Sequence, residues 1–198
     1  MDTFRIFIST DNHVGYKEGD ATRKDDSFLA LQEVLEHAVE TRPDIILLGG
    51  DLFHDHVPSM STMYRTMKLL DTHVKGDCVR EFETDNYQGT LNYMKDNDKI
   101  RLPIFIIHGN HDDPVAEYTS LELLDLAGLL NYFTHTIDEI TGNLIVHPIL
   151  FTKGTTRVAL YGIGNIKDDV CHRLFAENRI QWMQPENSDS YFNLLVVH

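Results

Sequence analysis

Three apolar runs in the chain share one design. Phe4–Thr10 (FRIFIST) runs into Asp11, Asp44–Gly50 (DIILLGG) into Asp51, and Pro103–Gly109 (PIFIIHG) into Asn110 and His111. Each run predicts a short strand buried on both faces that hands its last residues to a polar cluster. Between the first two, Phe28, Leu31, Val34, Leu35, Ala38 and Val39 recur at helical spacing, with Ser27 as the cap and Pro43 as the stop. Pro58 opens a second helix through His73, whose apolar face is Met60, Met63, Met67 and Leu70. The polar stretch Lys75–Leu102 reads as a long excursion with one short strand. Beyond the third run, SLELLDLAGLL predicts a helix. NLIVHPILF and TTRVALYGIG predict strands joined by the TKGT turn, and Asp168–Asn178 predicts a last helix. The apolar run Phe192–Val197 predicts a deeply buried strand that delivers His198.

Strands alternating with helices imply βαβ units, an α/β fold whose ligands bind at the carboxyl ends of the strands. All the polar clusters fall at such ends: TDNH (Thr10–His13), GGDLFH (Gly49–His54), HGNHDD (His108–Asp113) and the closing VVH. Asp-x-His alone is a weak signal, and Gly-Asp after a strand is often only a turn. Together the clusters assemble carboxylates, imidazoles and an amide oxygen, a hard-to-borderline donor set for two divalent cations that share a carboxylate. Thiolates are absent from the clusters, which argues against a structural zinc finger. His37, His56, His73, His135, His147 and His172 lack this context and read as surface or core residues, and His108, inside its strand, as structural.

Composition refines this picture in few places. With 198 residues, 42% of them apolar, the chain supports one substantial domain. Two cysteines give no disulfide framework, and no run is long enough to cross a membrane. The net charge of −14 argues against a broad basic surface for nucleic acid, although bound cations would offset it locally.

At these residues the chain resembles the calcineurin-like metallophosphoesterase superfamily, with its Asp-x-His, Gly-Asp, Gly-Asn-His-Asp, lone His and Gly-His-x-His elements. Through DNHVGY, DDSF, LLGGDLFHDHVPS, PIFIIHGNHDDP, ALYGIGNI and FNLLVVH it is similar to the eukaryotic double-strand-break-repair nucleases of the meiotic recombination eleven family. The resemblance implies a metallophosphoesterase-type β-sandwich flanked by helices, with the site at the carboxyl ends of the strands. It implies two Mn2+ ions, with Mg2+ or Fe2+ as alternatives: Asp11 and His13 on the first, Asp51 bridging, Asn110 and His198 on the second. His111 would face the scissile phosphate as a proton donor or charge stabiliser, and His54 would contact the phosphate or position DNA. The implied activity is 3′–5′ exonuclease and single-strand endonuclease cleavage in the nucleus, by a two-metal mechanism.

The implied partners are DNA, a second copy through helices near Pro58–His73 and Thr119–Leu130, a coiled-coil SMC-like ATPase, and a nibrin-like regulator at Lys75–Leu102. The dimer stripe would use Met60, Met63, Met67, Leu121 and Leu124. A Gly-His-x-His element is expected after His198, so residues 1–198 alone are expected to bind metal weakly and cleave poorly. Two other readings remain open. Protein phosphatases of the same superfamily continue Gly-Asp with an arginine that grips a phosphomonoester, whereas Leu52–Ser59 contains none. A scaffold that dimerises and holds partners without catalysis is the other.

Overall fold

The computed structural model describes residues 2–85, 91–94, 99–115 and 117–198. Its first half runs β1 (Ile6–Ser9), α1 (Asp26–Thr41), β2 (Ile45–Leu48), α2 (Met60–Val74), β3 (Glu83–Asp85), β4 (Ile104–Ile106) and α3 (Ser120–Leu126). The second half runs β5 (Asn131–Tyr132), β6 (Thr136–Ile137), β7 (Leu144–Val146), β8 (Ile149–Lys153), β9 (Thr156–Ile163), α4 (Asp168–Ala176), β10 (Ile180–Trp182) and β11 (Phe192–Val197).

Two four-stranded sheets stack as a sandwich. The first, β1-β2-β4-β5, is parallel throughout, and the second, β11-β9-β8-β3, is mixed. Alternation along β2 explains the layering. Ile45 and Leu47 face the second sheet with Phe105, Phe151 and Leu160, while Ile46 and Leu48 face the helices with Leu35, Leu70 and Leu124. Both faces of β2 are therefore dry, which is why its run carries no charge. Phe105 is the centre of the inter-sheet layer, edge-on to Phe133, Phe151 and Tyr93. A small third sheet, β10-β7-β6, and α4 cover the outer face of the second sheet through Leu144, Val146, Tyr161 and Leu174. The α/β sandwich flanked by helices is the predicted architecture.

Four details differ from the pattern. NLIVHPILF is two strands, because Pro148 cannot donate to a ladder and the chain changes sheets there, from β10 and β6 to β9. The runs before His198 and Asp11 are not buried on both faces: among the described residues β11 pairs with β9 alone and β1 with β2 alone, and Phe192 and Ile8 are 68% and 64% exposed. Ser27 does not cap α1, which starts after Asp25; its hydroxyl instead accepts the Gly15 N–H at 3.0 Å. In α2 the buried stripe is Thr62, Thr66, Leu70 and Val74, with Met63 and Met67 at its margin and Met60 84% exposed. The threonines enter the core because their hydroxyls are satisfied locally, Thr66 on the Thr62 carbonyl and Thr62 on the Glu18 carboxylate.

Two members of the expected dimer stripe, Leu121 and Leu124, are core residues of α3. That helix is also shorter than SLELLDLAGLL, starting on a Thr119–Glu122 capping box and closing before Gly128, which has φ 72°. The expected excursion does contain one short strand, β3; its residues 86–90 and 95–98 lie outside the described residues.

If Phe105 anchors the inter-sheet layer, Phe105→Ala lowers the unfolding free energy by about 3–5 kcal/mol in urea titration. Phe192→Ala, at the exposed edge, changes it by less than about 0.5 kcal/mol.

Candidate metal centre

The parallel ladder between β1 and β2 continues past both strands and draws their following loops together. His13 N–H donates to the Asp51 carbonyl at 2.9 Å, Val14 N–H to Leu52 at 2.7 Å, and His54 N–H returns to Val14 at 3.0 Å. To follow this path Asp11, His13 and Asp51 adopt positive φ of 54°, 44° and 51°, left-handed conformations that are costly for residues with a Cβ. Concentrated strain of this kind persists only where the surroundings over-determine it.

Asp112 supplies much of that determination. It is fully buried, and its carboxylate accepts the N–H groups of Gly109 at 2.6 Å and Leu52 at 2.7 Å, with longer contacts from Asp51 and Phe53. The loops after β2 and β4 are thus fastened to one side chain. Burial raises the Asp112 pKa above the usual aspartate range, and the backbone donors oppose it. Glycine is demanded at position 109, since a Cβ there would fall 2.0 Å from Asp51 Oδ1. At Gly50, φ is 108° and a Cβ would meet the His198 ring at 2.6 Å.

Asp51 itself is 2% exposed. One carboxylate oxygen accepts the His111 N–H at 2.8 Å, and the other has His13 Nε2 at 3.7 Å and His198 Nε2 at 3.6 Å. Asp11 Oδ1 lies 3.9 Å from His13 Nε2, and Asn110 Oδ1 lies 3.3 Å from His198 Nε2. His198 Nδ1 donates to the Gly49 carbonyl at 2.9 Å, which fixes its tautomer and leaves the Nε2 lone pair for the site. All five residues expected as ligands are therefore brought together from four strand ends.

The donors fit divalent cations. No lysine or arginine pairs with Asp11 or Asp51 among the described residues, yet Asp51 is a buried carboxylate, and such groups are paired or coordinate metal. The imidazole nitrogens stand too far from Asp51 Oδ2 for hydrogen bonds. Bonds of about 2.1 Å put neighbouring ligand atoms of one cation about 3 Å apart and opposite ones about 4 Å apart, and these separations fall between. Asp11, His13 and Asp51 would hold one ion, and Asp51, Asn110 and His198 another.

His54 and His111 form the other wall. Their rings stack at 5.1 Å, His13 meets both edge-on, and Tyr16 packs edge-on against His54 at 4.8 Å. His111 Nδ1 donates to the His54 carbonyl at 2.6 Å, so Nε2 is the nitrogen left for chemistry. His13, His54 and His111 also each offer a nitrogen within 4.8 Å of the others, although the carboxylate group better suits a hard cation. Under the site, His108 Nδ1 meets the Tyr132 hydroxyl at 2.7 Å and its ring lies 6.1 Å from His135. Burial lowers the pKa of both imidazoles, that of His135 to about 4. His108 is structural, as expected. His56 forms an ion pair with Asp113 at 2.7 Å, at the rim.

Asp112 and Tyr16 were missed by the sequence reading. The first acid of HGNHDD stands directly after Asn110 and His111, but nothing local marks it as buried. Tyr16 had none.

Residues 4–198 match the family model described as calcineurin-like phosphoesterase. The whole chain is 43% identical to the double-strand break repair protein mus-23 of Neurospora crassa. It is 42% identical to the double-strand break repair protein MRE11 of Gallus gallus and 40% identical to that of Arabidopsis thaliana. The chain spans 28–30% of the length of these relatives.

Asp112→Asn would set an amide N–H2 against backbone donors, and its expected cost in urea denaturation is about 2 kcal/mol. The half-exposed pair at Asp113 is worth less than about 0.5 kcal/mol when Asp113→Asn breaks it. His135 titrates lower in the fold than its ordinary value of 6.5, so the unfolded chain takes up the proton first as pH falls. The stability present above that value is lost on acidification toward about 4, and His135→Gln should flatten this loss. The flattening, read from unfolding free energies across that window, should amount to about 2 kcal/mol.

Proposed function

The chain belongs to the calcineurin-like phosphoesterase family, and from that premise we propose that it is the catalytic domain of a manganese-dependent DNA nuclease of double-strand-break repair. One observation carries the reading most directly: the buried Asp51 carboxylate stands between the Nε2 atoms of His13 and His198, with Asn110 beside the second and His111 on its other oxygen. The names of the relatives above supply the substrate class in this proposal, and DNA damage the context. The absence of arginine in Leu52–Ser59 favours a diester over a monoester.

In this reading Asp11, His13, Asp51, Asn110 and His198 would hold two Mn2+ ions, which when bound would supply Lewis-acid polarisation of the phosphodiester and of the attacking water. His111 then works through Nε2. Its Nδ1–H is committed to the His54 carbonyl, which orients the ring and leaves Nε2 to pass a proton to the departing oxygen or stabilise its charge. His54, stacked on that ring, keeps its plane and borders the phosphate. We assign both 3′–5′ exonuclease and single-strand endonuclease activity to the site, and a nuclear location. DNA, a second copy, a coiled-coil SMC-like ATPase and a nibrin-like regulator are the proposed partners. With Leu121 and Leu124 in the core, a second copy would instead meet the exposed Met60, Leu123 and Leu126.

In the intact protein, oligonucleotide cleavage is expected to require Mn2+ and to fall by at least about 10³-fold in Asp51→Asn. His111→Ala should lower kcat by about 10²-fold or more while calorimetric Mn2+ binding persists. Rapid hydrolysis of a phosphomonoester dye with DNA left intact would overturn the diester assignment.

A further inference from the structure

The opposite end of the sandwich holds a feature the metal centre does not use. A cavity of about 610 Å³ lies where the parallel strands begin, lined by Arg5 just before β1, Asp44 just before β2 and Pro103 just before β4. Its floor is apolar, formed by Ala38, Phe82 and Leu102. Five cationic side chains line it, Arg5, Arg42, Arg80, Arg101 and Lys153, against three carboxylates. That balance is the reverse of the whole chain, where 31 acids face 17 lysines and arginines.

The three carboxylates do not neutralise the arginines. Asp44 gives one oxygen to Lys153 Nζ at 2.6 Å and the other to the Arg5 backbone N–H at 2.7 Å. Glu81 stands 3.4 Å from the same lysine, and Asp77 pairs with Lys99 at 2.6 Å. Arg80 and Arg101 each spend one N–H on a backbone carbonyl, Ile100 and His73, and the Arg80 guanidinium lies 4.1 Å over the Tyr93 ring. The Arg5 and Arg42 side chains make no hydrogen bond or ion pair among the described residues. Two guanidiniums without counter-charge among the described residues therefore line a cavity with an apolar floor.

We propose that this cavity binds an organic phosphate of mononucleotide size, with its phosphate on Arg5 and Arg42 and its apolar body on the floor. The guanidinium fork matches two phosphate oxygens at once, which a lysine point charge does not. Ligand cavities of about 300–1,000 Å³ with apolar walls and a few convergent polar groups bury most of a small ligand, and this one falls in that range. A bare anion would leave the floor wet, and an uncharged ring system would leave the arginines unmatched.

Adenosine 5′-monophosphate, inorganic phosphate and adenosine are the probes, titrated calorimetrically into the intact protein in manganese-free buffer. The nucleotide should bind saturably, and each of the other two at least about tenfold more weakly, one charge-assisted contact being worth that much. Arg5→Gln/Arg42→Gln should weaken nucleotide binding by at least about tenfold, and both side chains are exposed, so an unchanged thermal melt accompanies the loss. Asp51→Asn should leave binding unchanged, which separates this cavity from the metal centre. No saturable heat, equal affinity for phosphate or adenosine, an unaffected double variant, or loss in Asp51→Asn would each overturn the proposal.

Discussion

The Asp112 carboxylate takes backbone hydrogens from Gly109 on one side and from Leu52 and Phe53 on the other. One acid thereby locks the loops after β2 and β4, which are 60 residues apart along the chain. Without that lock, the left-handed backbone at Asp51 would have little to hold it, and Asp51 would not face its imidazoles. The design separates two tasks that one residue could not perform. Asp112 spends its charge on backbone donors and turns away from the cleft; Asp51, one strand end away, spends only one oxygen on a backbone donor and keeps the other for the site.

Around Asp51 the structure accumulates costs that no protein group relieves. Carboxylates without cationic partners, positive φ at three non-glycine residues, and unpartnered buried ring nitrogens on His13 and His54 all occur within one small volume. The dry sandwich beneath tolerates this, because β2 and β4, which lead into the site at Asp51 and Asn110, are buried on both faces and cannot easily shift. His108 and His135, whose pKa values burial lowers, extend the packed layer under the cleft.

How legible this was in the sequence depends on the range over which each feature acts. The runs before Asp51 and Asn110 were readable because a strand buried on both faces must be apolar throughout, whereas β1, before Asp11, is an edge strand with Ile8 64% exposed. The clusters after them were readable because several metal-binding side chains at strand ends are rare together. β11 misleads for a related reason: its apolar run predicts a deeply buried strand, yet it is an edge strand whose outward residues stay apolar. In α2, hydropathy counted Thr62 and Thr66 as polar, although their hydroxyls bond to Glu18 and the helix itself. Asp112 was illegible because its burial follows from loops that meet only in three dimensions. The two-residue β5 pairs with β4 through a similar long-range contact and has no periodicity to read.

The parallel sheet gives the two ends of the molecule opposite electrostatic tasks. At the carboxyl ends, chain geometry collects side chains that lack counter-cations; at the amino ends, it collects guanidiniums that lack counter-anions. A sandwich with a continuous inter-sheet layer from Ile45 and Phe105 to Phe151 keeps water out between them. In a chain of net charge −14, neutralising Arg5 and Arg42 from within would have been easy, since acids outnumber bases nearly two to one. The acids that line their cavity are instead tied to Lys153 and Lys99, so the unmatched charge at this pole reflects how the local pairs are arranged and not a shortage of carboxylates.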